Sequence, residues 1–205
     1  MALLTTPIRA DAEEHRGALL RAARDLVGER GPRGFSARDI AVRAGLSQAT
    51  LYRHFPSKAA LIDAVSVDRW QRALAWARTD SRGPAAIVEI TSILDRFSAM
   101  VTDDRNFIAN LGLQIGMAPE PITPLRNRFD VQFGALWTRA QDEGHVRRDV
   151  HHQDVMDLVG AIREPERRTH RLGILVGGFS NGIAPEMLLR AARNVAPPWD
   201  HGLTR

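Results

Sequence analysis

The stretch Ser36-Ala37-Arg38-Asp39-Ile40-Ala41-Val42-Arg43-Ala44-Gly45-Leu46-Ser47-Gln48-Ala49-Thr50-Leu51-Tyr52-Arg53-His54-Phe55 reads as two short helices and the turn between them. Ser36 and Asp39 form a capping-box-like start, with Asp in the place of the usual Glu. Ile40, Ala41 and Ala44 give the first helix an apolar face of small residues that lets another helix cross closely. Gly45 falls where a tight turn needs a positive φ, which glycine adopts at least cost. Leu46 fills the angle between the helices. Ser47 caps the second helix, whose Leu51 and Phe55 face inward, while Gln48, Thr50, Tyr52, Arg53 and His54 stay outside. Two short helices crossing at a three-residue turn make a helix-turn-helix, and the second helix of that motif presents its N-terminal half to the DNA major groove. A plain helical hairpin accounts for Gly45 and the apolar positions but not for the dense hydrogen-bonding and cationic exposure.

Charge points the same way. Of the 28 basic residues only Lys58 is a lysine, and the formal net charge is +4. From Arg30 to Lys58 stand six basic residues (Arg30, Arg33, Arg38, Arg43, Arg53, Lys58) against one acid, Asp39, a local charge of +5. The remainder of the chain therefore nets −1, and the positive surplus is confined to the segment that carries the motif.

Working outward, 205 residues with 44% hydrophobic and 25% charged composition suffice for one or two globular domains with a sizeable core. No apolar run approaches the ~20 residues that cross a bilayer, and Met1 to Ala10 lacks the pattern of a signal peptide. The absence of cysteine removes disulfides, thiolate metal sites and cysteine nucleophiles, and fits a cytoplasmic location. The apolar spacing is helical throughout, with no alternating strand. Helices are expected over about Asp11 to Arg30, Ser36 to Arg43, Ser47 to His54 and Lys58 to Thr79, with Ser57 capping the last. Arg82-Gly83-Pro84 leads into a helix in which Ile87, Ile90, Leu94, Phe97 and Val101 recur at spacings of 3 and 4. Another helix carries Phe107, Leu111 and Ile115, and Met117 to Pro121 must be a loop. Ile122, Leu125, Phe129, Phe133, Leu136 and Ala140 mark a long helix stopped at Gly144. Helices over about Gln153 to Ile162, Glu166 to Phe179 and Pro185 to Val195 precede a proline-rich tail.

The segment from about Arg16 to Val67 resembles the DNA-binding domain of the TetR family of transcriptional regulators. The likeness is carried by Ala22-Ala23, Gly31 to Phe35, Asp39-Ile40-Ala41, Ala44-Gly45-Leu46-Ser47, Thr50 to Lys58, and Leu61, with Ser36 in the place of the commoner threonine. Farther on, Trp137 through Gly144 to Asp149, then Asp154 to Val159, is similar to a family pattern. The resemblance implies an all-α chain: a three-helix helix-turn-helix domain over 11–75, a helical-bundle ligand-binding and dimerisation domain over 76–196, and a tail over 197–205. It implies a dimeric, sequence-specific DNA-binding regulator, by family default a repressor, released from a palindromic operator by a small-molecule effector. Carried over by position, Gln48, Ala49, Thr50, Tyr52 and Arg53 lie along the groove, with Ser47 at the helix start. Gln48 and Arg53 are the base-contact candidates, while Tyr52 and His54 are assigned to phosphate. Ser36, Arg38 and Lys58, at the starts of the neighbouring helices, are expected to bind backbone phosphates.

Three further constellations bear on function. His145, His151 and His152 are close in sequence, but adjacent histidines on a helix diverge by about 100°, so no metal is expected. No Ser-His-Asp order or glycine-rich phosphate loop supports an enzyme, and no cofactor is implied. Phe97, Met100, Phe107, Leu111, Gln114, Met117, Phe129, Phe133 and Trp137, on three successive bundle helices, are the candidates for a ligand pocket. The homodimer contact is expected over about residues 153–179. There Leu172, Ile174, Leu175, Val176 and Phe179 make a helix apolar nearly all round, and Gly173, Gly177 and Gly178 allow close approach. The competing reading is a helical interaction module whose basic segment binds RNA, a protein partner or an anionic surface. Sequence-specific duplex binding separates the two.

Overall fold

Helical periodicity becomes nine α-helices among the described residues of the computed structural model, which are 6–31, 33–77, 85–103, 122–162 and 164–195. They are α1 (Thr6–Arg30), α2 (Ala37–Arg43), α3 (Gln48–His54), α4 (Lys58–Trp76), α5 (Ala86–Asp103), α6 (Thr123–Asp142), α7 (His152–Gly160), α8 (Arg168–Phe179) and α9 (Pro185–Arg193). A single 3-10 turn, Pro165–Arg167, precedes α8. α1 begins at Thr6 rather than Asp11, because Pro7 sits in the first turn, where its missing N–H removes no helical bond. The expected helix around Phe107 to Ile115, the loop Met117 to Pro121, Thr79 and the tail lie outside the described residues.

The described residues divide into two units, one ending at Arg69 and the other beginning at Trp70, a division that falls within α4. In the first, Leu19, Ala23, Leu26 and Val27 of α1 bury the expected stripe against Ile40, Leu51, Leu61 and Val65, all 1% exposed or less. Arg24 of α1 pairs with Asp68 of α4 at 2.9 Å. The turn between α2 and α3 closes through Gly45 N–H to the Val42 carbonyl (3.1 Å) and Leu46 N–H to the Ala41 carbonyl (2.9 Å). Gly45 has φ +67°, and a Cβ built there meets nothing within 4 Å, so backbone conformation alone requires glycine.

In the second unit α5 is the central helix, touching α6, α7, α8 and α9. Its Ile87, Ile90, Leu94 and Val101 are fully buried. The N-terminus of α5 is closed from another element, since Ala86 N–H donates to the Glu143 carboxylate at 3.1 Å. α6 stops at Gly144, φ +77°, and the chain then makes a one-residue antiparallel bridge between Val146 and Ser180. Arg147 N–H reaches the Phe179 carbonyl (3.0 Å) and Asn181 N–H the His145 carbonyl (2.8 Å).

Since space is open at Gly45, Gly45→Ala is expected to lower stability by about 1 kcal/mol, the left-handed penalty of an L-residue, and Gly45→Asn by less. Urea unfolding followed by circular dichroism measures both. A larger loss for Ala than about 2 kcal/mol would mean that the turn needs glycine for space as well.

Candidate nucleic-acid interface

Neither α2 nor α3 exceeds seven residues, so their ends decide their geometry. The Ser36 side chain accepts the Asp39 N–H at 3.2 Å, while the Asp39 carboxylate accepts both the N–H and the hydroxyl of Ser36 at 2.7 Å. The capping box read from sequence is closed. These bonds, the Ser36 N–H first, hold the Asp39 carboxyl below its ordinary range. The Ser36 hydroxyl, expected to touch phosphate, gives its hydrogen to Asp39.

At the start of α3, Ser47 Oγ accepts the Thr50 N–H at 3.0 Å and lies 2.8 Å from Thr50 Oγ1. The two hydroxyls share one hydrogen and retain one for an outside partner. Gln48, Ala49, Tyr52 and Arg53 are exposed, Thr50 and His54 half-buried, and Leu51 and Phe55 buried. Positions 48, 49, 52 and 53 share one helix face at 100° per residue. His54 turns toward α1, its ring edge-on to that of His15 at 6.3 Å between centroids. The Arg16 guanidinium stands over the Phe55 ring, 5.2 Å from its centroid.

The basic residues divide into committed and open ones. Arg43 is held by Glu29 of α1 through two bonds of 2.8 Å, which lower the Glu29 carboxyl from its ordinary range. Lys58 is turned inward: its Nζ donates to the Phe35 carbonyl and lies 4.2 Å from the centroid of the Phe35 ring. Burial pushes its ammonium below the ordinary lysine range, with the charge of Asp39 pulling the other way. Arg30, Arg33, Arg38 and Arg53 are exposed and make no ion pair among the described residues. Sequence reasoning missed Glu29, Phe35, His15 and Arg16 as supports, because contacts between helices leave no local signal.

The other expected constellations are distributed as follows. Phe97, Phe129, Phe133 and Trp137 form one aromatic row, at centroid distances of 5.5–6.2 Å. Trp70 and Phe179 extend it at either end. Met100 is half-buried on α5. Phe107, Leu111, Gln114 and Met117 lie outside the described residues. On α8, Leu172, Val176 and Phe179 are buried within their own chain, Leu175 is half-buried and Ile174 is 62% exposed. The helix thus has an inner and an outer apolar face, which corrects Val176 from contact surface to core. A Cβ at Gly173 would meet Leu189 at 3.7 Å and one at Gly177 would meet Pro185 at 3.1 Å, so both face α9 of the same chain. Leu158, on the outside of α7, is 53% exposed. His145 pairs with Glu143 at 3.2 Å and His152 with Asp130 at 3.0 Å, while His151 is exposed at the start of α7. Among the described residues no three His, Cys, Asp or Glu side chains group as metal ligands, and no helix is long and apolar enough to cross a membrane.

Comparison with known proteins adds the following. Residues 19–65 match the family model described as bacterial regulatory proteins, tetR family, and residues 90–176 match the SbtR-like transcriptional regulator C-terminal domain. The chain is 34% identical over 126 residues to an HTH-type transcriptional repressor of Mycobacterium tuberculosis, Rv3405c, across 60% of this chain and 65% of that protein. The match therefore spans just under two thirds of that relative's length. Among solved structures, the TetR transcription regulatory protein of Mycobacterium vanbaalenii is 30% identical, with TM-score 0.66, over 85% of this chain and 100% of that one. CprB of Streptomyces coelicolor, solved with its biological operator sequence, shares the fold at 22% identity and TM-score 0.66, over 89% and 96%.

The capping box yields a pH prediction. A carboxyl whose folded pKa is depressed contributes stability above its ordinary value, 3.8 for Asp39, and loses that contribution as pH falls through the lowered folded value. Asp39→Asn should therefore be less stable than the wild type at neutral pH. The difference should shrink as the pH is lowered below about 4, as read from urea midpoints across the range. A difference that stays constant with pH would exclude the ionised carboxylate as its source.

Proposed function

Because the chain belongs to the TetR family of transcriptional regulators, we propose that it is a dimeric, sequence-specific DNA-binding repressor released from its operator by a small-molecule effector. The observation that carries this reading is the open face of α3. Gln48, Ala49, Tyr52 and Arg53 stand exposed together on a helix whose other face is locked into a core. Four uncommitted arginines surround the same motif. In this reading Gln48 and Arg53 contact bases, since an amide matches adenine and a guanidinium matches guanine in the major groove. Tyr52, Arg38 and the free hydroxyl hydrogen of the Ser47–Thr50 pair contact phosphate, and Ala49 lies against the groove floor. The helix-turn-helix domain of about residues 11–75 serves binding. The bundle of about 76–196 serves effector recognition, with the aromatic row supplying apolar surface and Phe107, Leu111, Gln114 and Met117 on the intervening segment. The open basic surface also fits an anionic partner other than duplex, which the selection below distinguishes.

One helix-turn-helix reads too few base pairs for useful specificity, so the module pairs across a two-fold axis. The outward faces of α7 and α8, with Leu158 and Ile174 exposed, are the surface proposed for the second copy. Large exposed apolar side chains on two neighbouring helices suit an isologous contact of two helices from each subunit.

Two measurements test these readings. Selection of genomic fragments on the full-length protein is expected to return a palindrome. Against it, Gln48→Ala should relax preference at particular base pairs, while Tyr52→Ala should weaken all sequences about equally. A neutral hydroxyl releases no counterion, so the salt slope should be unchanged in Tyr52→Ala, whereas Arg38→Ala should lower its magnitude by about 1 per subunit. Recovery of RNA or of unrelated fragments instead would favour the anionic-surface reading. Ile174→Arg and Leu158→Arg are expected to give folded monomers by light scattering, with operator affinity greatly reduced. Val176→Arg, which buries a charge in the subunit core, should instead fail to fold stably. Intact dimers in the two surface variants would place the contact elsewhere.

A further inference from the structure

The C-terminal end of α3 meets a second histidine. His54, the last residue of α3, and His15, on α1, lie ring to ring at 6.3 Å between centroids and 81° between planes, one ring presenting its edge to the other. Both are half-buried, so each keeps part of its surface open. Among the described residues neither ring has an acid within ion-pair distance, the histidine ion pairs being those of His145 and His152. The charged groups on the elements packed around the pair are Asp11, Glu14 and Arg16 on α1, Arg38, Asp39 and Arg43 on α2, and Arg53 on α3. Asp39 is committed to the Ser36 cap and Arg43 to Glu29. Arg16 and Arg53, the sequence neighbours of the two histidines, are exposed.

Such a pair is a poor place for two charges and a good place for an anion. One protonated ring at a helix C-terminus is favoured by the helix dipole. Two protonated rings side by side, next to two guanidinium groups, repel one another. A phosphate oxygen brought to both rings removes that repulsion, and two N–H···O bonds of about 2.9 Å to one phosphate group span a gap of this order.

We propose that His15 and His54 together form a binding site for one operator phosphate, occupied with both rings protonated, so that the protein takes up protons as it binds DNA. The family resemblance assigns His54 alone to phosphate, and the geometry adds α1 and a dependence on pH. Since the protonated form binds better, operator affinity falls as pH rises through the range in which histidine titrates. The proposal rests on the DNA-binding reading above, and inorganic phosphate tests the site without an operator.

The test uses the full chain, the duplex returned by genomic selection, and the variants His15→Gln, His54→Gln and their combination. Glutamine keeps a hydrogen-bonding side chain and removes the titrating ring. At constant ionic strength, wild-type affinity is expected to fall about tenfold per subunit, or about a hundredfold for a dimer, between pH 6 and pH 8. Either single variant should bind within about twofold of the wild type at pH 8 and lose about half of that pH range on a logarithmic scale, and the combination should lose nearly all of it. The magnitude of the salt slope should drop from pH 6 to pH 8 in the wild type, by about 1 for each charge lost, and stay constant in the combined variant. An equal loss at every pH in the variants, which packing alone would give, overturns the proposal. So does a pH range left unchanged in the combined variant. If His54→Gln does not fold, His15→Gln carries the same readouts. Without DNA, the ring C–H proton resonances of both histidines, assigned by their absence in the variants, should move on adding inorganic phosphate at pH 6 and stay in place at pH 8. Where a duplex is returned, the pH profile decides. If none is returned, the DNA-binding reading fails and the phosphate titration decides, unmoved signals overturning the site.

Discussion

A helix of seven residues cannot stand on its own hydrogen bonds. Nucleation fixes several dihedrals for each bond gained, and isolated helices much below ~12–15 residues are marginal in water. Two such helices, α2 and α3, carry the whole candidate interface, so the rest of the first unit exists to hold their ends. Ser36 with Asp39 closes one start and Ser47 with Thr50 closes the other. Glu29 reaches from α1 to Arg43, and Lys58 from α4 to Phe35. Leu51 and Phe55 anchor α3 from below, leaving its opposite face free of any structural duty. Polar side chains on that face are available for recognition because the buried face and the caps do the folding.

The same logic explains the preference for arginine elsewhere. In the second unit guanidinium groups tie segments together through backbone carbonyls. Arg96 reaches the Val195 carbonyl, Arg147 that of Gly178, and Arg168 both the carbonyl and the carboxylate of Asp95. Arg139 meets Glu89 at 2.7 Å. A planar group with five donors can serve a carbonyl and a carboxylate at once, which a lysine ammonium does less well. These arginines are matched by acids or carbonyls, whereas several of those around α2 and α3 are not. The surplus charge noticed in the sequence is therefore a surplus of unmatched side chains as well as of sign.

Much of this was legible beforehand, for a physical reason. Caps, turn glycines and inward apolar positions act within four residues of one another, so Ser36, Gly45, Ser47, Leu51 and Phe55 declare themselves locally. Contacts between helices do not. Nothing near Lys58 in sequence marks a carbonyl 23 residues away as its partner. Likewise the 3.6-residue period finds that α8 is apolar on two sides but not which side its own chain covers. Val176 and Ile174 are thus alike in sequence and opposite in burial. Trp70 and Phe179 joined the aromatic row only through tertiary packing. α1 starts ahead of its apolar stripe because Pro7 fits the first turn, where no N–H is needed.

The bridge between Val146 and Ser180 has a further meaning for the chain's modularity. Residues 145–147 and 178–181 are hydrogen-bonded to each other directly, through Arg147 N–H to Phe179, Asn181 N–H to His145 and the Asn181 amide to Gly144. The α7–α8 segment begins and ends at one point, while its inner face stays packed on α5. A segment whose two ends meet can vary at its exposed positions without altering the spacing of the elements on either side. The outward face of α7 and α8 is therefore built on a closed cassette. In the proposed contact between copies, that outward face is free to vary while the buried positions of α7 and α8 hold the neighbouring helices in place.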